Sequence, residues 1–228
     1  MAALIFARFG SSRLPGKALQ ELGHQALLQW SINAAKRLEN CGVILATSDS
    51  QQDDPLAELA SVSGIEIYRG SLENVALRTL QCIEEFELDY FFRINGDSPF
   101  LNLPLLEASI QLLASHPDCD MVSNLINRSY PYGVSCELIK ASSFVEAYPK
   151  MKDSELEHIT QYFYRNKSQF NIVELPILEA DLSHYRMTID TEEDLELIRD
   201  FVESKSDLDF NKLDINDLIN EFDNYNLN

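Results

Sequence analysis

The chain has 228 residues, 45% of them hydrophobic and 24% charged, which is enough for one well-buried domain and short for two large ones. Eighteen Lys and Arg against 37 Asp and Glu leave a net charge of −19, a surplus that argues against nucleic acid or an anionic membrane surface as partner. No apolar run approaches the ~20 residues of a membrane helix, no cationic and apolar leader opens the chain, and Cys41, Cys82, Cys119 and Cys136 lie too far apart for a zinc site or disulfide framework, so a cytoplasmic location is expected.

The run at 2–6 is short, apolar and followed by a Gly/Ser/Pro loop, which predicts a buried strand opening a sheet. Leu28, Ile32 and Ala35 recur at helical spacing within 27–38, and 43–47 reads as a second buried strand. A helix at 55–63 with Pro55 in its first turn, a strand at 65–68, a helix at 72–86 and a strand at 90–94 continue the alternation. Strands alternating with helices predict an α/β fold, a mostly parallel sheet covered on both faces.

Beyond residue 94 the expected elements are a helix at 104–114, short strands at 121–123 and 136–139, and helices at 142–148 and 155–164. Strands at 170–175 and 186–188 and a helix at 192–203 follow. Residues 1–228 are read as one domain, with 129–171 as a lid or dimerisation insertion. From about 204 the chain reads as a polar, acidic tail with one weak amphipathic turn at 215–222. Carboxylates dominate the stretch from Asp190 onward, against only Arg199, Lys205 and Lys212, and fit a solvated surface.

The loop Arg8-Phe9-Gly10-Ser11-Ser12-Arg13-Leu14-Pro15-Gly16-Lys17 follows the first strand directly. Gly10 and Gly16 permit tight turns and a ligand's close approach, Ser11 and Ser12 offer neutral donors, and Arg8, Arg13 and Lys17 bring three charges to phosphate oxygens. Five residues between Gly10 and Gly16-Lys17, and Ala18 in place of a hydroxyl residue, distinguish the loop from a P-loop; G-x-G-x-x-G is missing as well. Asp97, in Arg93-Ile94-Asn95-Gly96-Asp97-Ser98-Pro99, is expected at the carboxyl edge of the sheet, where open α/β sheets bind ligands. Asp190, in Thr188-Ile189-Asp190-Thr191, lies between a strand and a helix, so it is either a second site carboxylate or, like Thr191, a helix cap. Two such carboxylates with a phosphate loop make the set that Mg²⁺ takes.

These motifs, in order with ATSDS and DDP (46–55), YRGS (68–71), YPYG (130–133), EHIT (157–160) and TIDTEEDLELI (188–198), resemble the cytidylyltransferase family of spore-coat polysaccharide proteins and CMP-KDO and CMP-sialic acid synthetases. The resemblance implies a Rossmann-like three-layer nucleotidyltransferase fold with a mostly parallel mixed sheet. It also implies transfer of CMP from CTP to an acidic sugar such as a nonulosonic or octulosonic acid, with Mg²⁺ as cofactor. Arg8, Gly10, Ser11, Ser12, Arg13 and Lys17 would hold the triphosphate, Ser71 the nucleoside, and Asp97 and Asp190 the metal, with Arg13, Lys17, Asp97 and Asp190 as the catalytic set. Tyr132, Glu137 and His158 would meet the acceptor, and a homodimer could form through the 129–171 insertion.

The sequence departs from the family pattern at Phe6, where relatives often carry Gln, and at His24-Gln25-Ala26 in place of a Gly-Lys-Pro turn; in the sugar half Tyr132 and Ser135 replace acidic residues that relatives often carry beside Glu137, and Gln161 replaces a frequent Pro. Three other readings stand beside this one. They are a nucleotidyltransferase using a sugar or polyol phosphate or another nucleotide, a glycosyltransferase built on Asp118-Cys119-Asp120, and an inactive nucleotide-binding module.

Overall fold

The computed structural model describes residues 1–227. β1 (Ala2–Phe6) is followed by the long loop and a small antiparallel hairpin, β2 (Glu21–Leu22) with β3 (Gln25–Ala26), which the apolar pattern did not announce. Then come α1 (Leu27–Ala35), β4 (Gly42–Ser48), α2 (Asp54–Val62), β5 (Glu66–Gly70), α3 (Val75–Glu85) and β6 (Tyr90–Asn95), matching the expected alternation. α3 starts where the Asn74 side chain accepts from Leu77 N at 2.7 Å, and α4 (Leu103–Ser115) where Asn102 accepts from Leu105 N at 3.0 Å. The rest of the chain gives β7 (Met121–Ser123), β8 (Glu137–Lys140), α5 (Ala141–Ala147), α6 (Gln161–Arg165), β9 (Ile172–Glu174), α7 (Glu192–Ser204) and α8 (Ile215–Asn226).

The main sheet has the order β5-β4-β1-β6-β8-β7-β9. All neighbours pair in parallel except β8, which runs antiparallel to both β6 and β7. This is an α/β architecture with a mixed, mostly parallel sheet. Successive residues of one strand feed opposite layers, as the pleat requires. Ala3 and Ile5 of β1 join Leu45, Phe92 and Ile94 and the α1, α4, α7 and α8 side chains, whereas Leu4 joins Ile44, Phe91 and the α3, α5 and α6 side chains. The chain leaves β1 in one direction, to β4 and β5, and returns to its other side as β6. The crevice at the carboxyl ends of β1 and β6 is therefore the topological switch point, the usual ligand position in such sheets.

Two expectations are corrected here, and two further segments take a definite place in the fold. Residues 129–171 do not stand off the fold as a separate lid, because β8 is the strand that joins β6 to β7, and α5 and α6 bury Phe144, Tyr162 and Phe163 beneath the sheet. The helix expected at 155–164 is confined to Gln161–Arg165, after a short 3-10 turn at Asp153–Glu155 whose Glu155 side chain accepts from Lys152 N at 2.9 Å. No strand forms at 186–188, where a single bridge pairs Tyr132 with Arg186. The acidic tail after 204 packs onto the domain, since α8 inserts Ile215, Leu218, Ile219 and Phe222 into the core, and Phe222 meets Phe201 edge-on at 5.1 Å. Among the described residues no helix is long and apolar enough to cross a membrane.

Candidate active site

The loop after β1 is closed on itself and tied to the next strand. Phe9 O accepts from both Ser11 N and Gly16 N at 2.8 Å, and Phe9 N donates to Asp53 Oδ1 at 2.7 Å. Asp53 is buried, and its other oxygen takes the Ser48 N–H at 3.1 Å and the Ser48 hydroxyl, so the carboxylate pins the loop to the end of β4. Gly16 sits at φ +72°, and a Cβ there would come within 3.0 Å of the Phe9 ring, so both backbone and space require glycine. A side chain at Gly10, by contrast, would meet nothing within 4 Å, which leaves open room over that part of the loop.

At the switch point Gly96 N donates to Phe6 O at 2.9 Å, and a Cβ on Gly96 would crowd Ala7 and Leu28 at 3.0 Å. This close approach sets Asp97 beside the loop. Lys17 Nζ then bonds Asp97 Oδ2 at 2.7 Å, Asp190 Oδ1 at 2.9 Å and Ile189 O at 2.8 Å. The Lys17 side chain is only 12% exposed. Asp190 also pairs with Arg13 at 3.0 Å and with Arg186. Burial pushes the Asp190 carboxyl upward, but the Lys17 bond and charge, with Arg13 and Arg186, outweigh it and hold the group below the ordinary Asp value. The helix-cap reading for Asp190 does not describe its side chain: the cap of α7 is Thr191, which accepts from Asp194 N at 3.2 Å while Asp194 accepts from Thr191 N at 3.0 Å.

These groups line a cavity of about 400 Å³. Of the residues expected from sequence, Arg8, Ser11, Ser12, Arg13, Lys17, Asp97, His158 and Asp190 reach its wall. Gly10 is absent from the wall, and Ser71 lines a neighbouring concavity with Arg69 and Gly70. Tyr132 is 45% exposed outside the cavity, with the guanidinium carbons of Arg128 and Arg186 at 5.1 and 5.0 Å from its ring centre. Glu137 is fully buried and paired with Arg93 at 2.8 Å, so it meets the cavity through that residue. The Asp118 to Asp120 stretch is structural, since Asp120 accepts from Asn171 N at 2.7 Å and from the Ser143 hydroxyl at 2.5 Å.

Sequence reasoning gave no site role to four polar cavity residues, Arg78, Arg93, Asn95 and Glu157. Arg78 lies on the buried face of α3, and its NH1 donates to Ser71 O at 2.9 Å, while its buried Nε has no hydrogen-bond partner among the described residues. Burial lowers its pKa to about 10, against the opposing charge of Asp53. The signal was a charged residue three positions after Val75 and four before Cys82, inside an apolar helical stripe. Arg93 and Asn95 line the floor from β6. Glu157 reaches across to Arg8 at 2.6 Å, an exposed pair at the mouth.

A cationic loop at a sheet switch point, facing two carboxylates from later strand ends, defines a nucleotidyltransferase site. The cytidylyltransferase family profile matches residues 2–215, and the chain belongs to that family. It is 31% identical over 204 residues to the spore coat polysaccharide biosynthesis protein SpsF of Bacillus subtilis, covering 86% of this chain and 83% of that protein. A 3-deoxy-manno-octulosonate cytidylyltransferase of Bdellovibrio bacteriovorus is 25% identical over 190 residues, covering 82% of this chain and 72% of its own length. A cytidylyltransferase structure from Leptospira borgpetersenii superposes with a TM-score of 0.89 at 28% identity, over 99% of this chain and 94% of that one.

Proposed function

We propose that the protein transfers CMP from CTP to an acidic sugar, a 2-keto sugar acid of the octulosonic or nonulosonic kind, with release of pyrophosphate, for surface polysaccharide or glycan synthesis. The observation that carries this reading is the convergence of Lys17 with Asp97 and Asp190, residues 80 and 173 positions away, on one point of the cavity. Two carboxylate oxygens and the Ile189 carbonyl already surround one cation there. Such a hard oxygen set fits Mg²⁺, which takes one or two carboxylates and completes its shell with phosphate oxygens and water. Asp97 and Asp190 would hold the ion, whose chemistry is charge neutralisation and orientation of the polyphosphate.

The chain's own groups do the rest. Arg8, Arg13 and Lys17 supply charge-assisted contacts to phosphate oxygens, while Ser11, Ser12 and the open backbone at Gly10 add neutral donors. Each of these cations is paired with a carboxylate, so the triphosphate takes them by exchanging one anionic partner for another. Ser71, through its link to Arg78, borders the nucleoside. An anomeric hydroxyl of the acceptor attacks the α-phosphorus, forming one P–O bond as the bond to pyrophosphate breaks and the hydroxyl proton passes to solvent, and the cavity holds the two partners in line.

The test is pyrophosphate release from each of four nucleoside triphosphates with a panel of 2-keto sugar acids and sugar phosphates. CTP with an acid should give the product, and Asp97→Asn and Asp190→Asn should each lower turnover at least a hundredfold at saturating Mg²⁺. Near wild-type turnover by a folded Asp190→Asn enzyme would remove that carboxylate from the site.

A further inference from the structure

Arg93 has no part in the nucleotide contacts described above, yet it is among the most elaborately braced side chains of the cavity. Glu137, its partner on β8, has no exposed side-chain surface and holds Arg93 NH1 through Oε2 at 2.8 Å. The other oxygen, Oε1, accepts from the Tyr164 hydroxyl at 2.7 Å. Ser123 Oγ lies 2.7 Å from that hydroxyl and accepts from Leu125 N at 3.0 Å. With Tyr164 donating to Glu137, Ser123 must donate to Tyr164, so one directed chain runs from the backbone after β7, through α6, to the Glu137 carboxylate and Arg93.

Burial opposes the Arg93 cation, but the Glu137 charge and hydrogen bond outweigh it. Burial, with the Glu137 charge, also pushes the Tyr164 phenol up, so the hydroxyl stays protonated. Burying an ion pair brings little or no net stability compared with apolar packing. Here the pair is buried on one side only: Glu137 is enclosed, whereas a fifth of the Arg93 side chain is exposed and lines the cavity. A guanidinium carries five N–H groups in a rigid fork that matches a carboxylate, and among the described residues Glu137 is its one hydrogen-bond partner.

Position gives the fork its ligand. The phosphate loop follows β1, and Ser71 follows β5, so the nucleotide contacts gather over the β5-β4-β1 half of the sheet. Arg93 is drawn the other way, from β6 toward β8, with Asn95 on the same face of its strand and His158 also in the cavity wall. We propose that Arg93 is the specificity residue for the acceptor, receiving its carboxylate on the free edge of the guanidinium, with Glu137 as a positioning residue behind it. This rests on the reading that the acceptor is a sugar acid.

The experiment compares each accepted 2-keto sugar acid with its neutral carboxamide, and measures CTP affinity separately by calorimetry. The wild-type protein should prefer acid to carboxamide at least fiftyfold in kcat/KM. Arg93→Gln should cut that preference below fivefold by raising the KM for the acid, with CTP affinity within twofold of wild type. Because Arg93→Gln strands a buried carboxylate, the same measurement is made on Arg93→Gln/Glu137→Gln, which removes both charges and should behave alike. Glu137→Gln alone should raise the KM for the acid three- to tenfold and leave kcat within twofold, a split that a purely structural loss of folded protein would not give. Acid preference unchanged in the folded double variant, or loss confined to CTP affinity, would overturn the role of Arg93 while leaving the sugar-acid reading intact. Turnover of sugar phosphates and of no acid by the wild-type protein would overturn both.

Discussion

Replacing Lys17 by Met keeps most of the side chain and deletes the ammonium that ties the loop to both distant carboxylates. From sequence Lys17 reads as a loop cation free to serve a ligand, but at 12% exposure it is also a structural tie. Asp190 would keep Arg13 and Arg186, whereas Asp97 would lose its ion pair and retain only a long 3.4 Å bond from Ser98. Breaking a fully buried pair costs about 3–5 kcal/mol. Asp97 is 26% exposed, so water replaces part of the loss, and about 2 kcal/mol is the expected net destabilisation. For a chain of this size that is a fall of about 4–8 °C in Tm.

The pH dependence carries a sign. Asp190 has a folded pKa below its ordinary value of 3.8, so the stability it contributes is present above that value and lost as pH falls through the folded pKa. Lys17→Met removes part of that contribution, and thermal melts should show a gap between wild type and variant that is full at pH 7 and narrows on approach to pH 3. A gap below 1 °C at pH 7, or one that stays constant down to the lowest pH at which both proteins fold, would refute the tie. CTP affinity, measured on the same samples, should fall about tenfold or more, since one charge-assisted contact is lost.

Other perturbations test other joints. Asp53→Asn keeps one acceptor oxygen where two serve Phe9 N, Ser48 N and the Ser48 hydroxyl, so urea unfolding should register a loss of about 2 kcal/mol, with increased proteolysis in the 8–17 loop. Thr191→Ala removes the hydroxyl of the α7 capping box and should lower stability by about 1 kcal/mol without altering acceptor preference. Phe222→Ala, at a position only 6% exposed, should cost about 3–5 kcal/mol; a loss below 1 kcal/mol in urea would return the C-terminal residues to the status of a loose tail.

The first half of the fold was legible because a buried parallel strand declares itself as an uninterrupted apolar run, as 2–6 and 43–47 do, and because Gly and Pro mark its ends. β8 was legible as a strand but not as part of the main sheet. Its Glu137 reads as an acceptor contact until Arg93 of the neighbouring strand is seen paired with it, and a single sequence does not show which charge answers which. α8 was underestimated for a related reason: Ile215, Leu218, Ile219 and Phe222 follow helical spacing, yet the surrounding Asp and Asn residues weighted the reading toward solvent. The motifs singled out Lys17, Asp97 and Asp190, but the sequence left Asp190 open to a capping role that the neighbouring Thr191 fills. Tyr132 carried a motif and stands outside the cavity, whereas Arg78 carried none and lines it.

The ion pairs of the loop span most of the chain: Arg8 waits for Glu157, 149 positions on, and Lys17 for Asp190, 173 positions on. A site closed by contacts of such long sequence separation forms late in folding, after the loop-closure entropy of the intervening chain has been overcome. During synthesis β1, β4 and β5 can associate while the loop cations still lack their carboxylates, so the segment made first is the last to reach its working arrangement. A nascent chain arrested before residue 190 would hold β1, β4 and β5 with loop cations that still lack Asp190, and Lys17 would come to rest between its two carboxylates only once that residue has been made and folded back across the sheet.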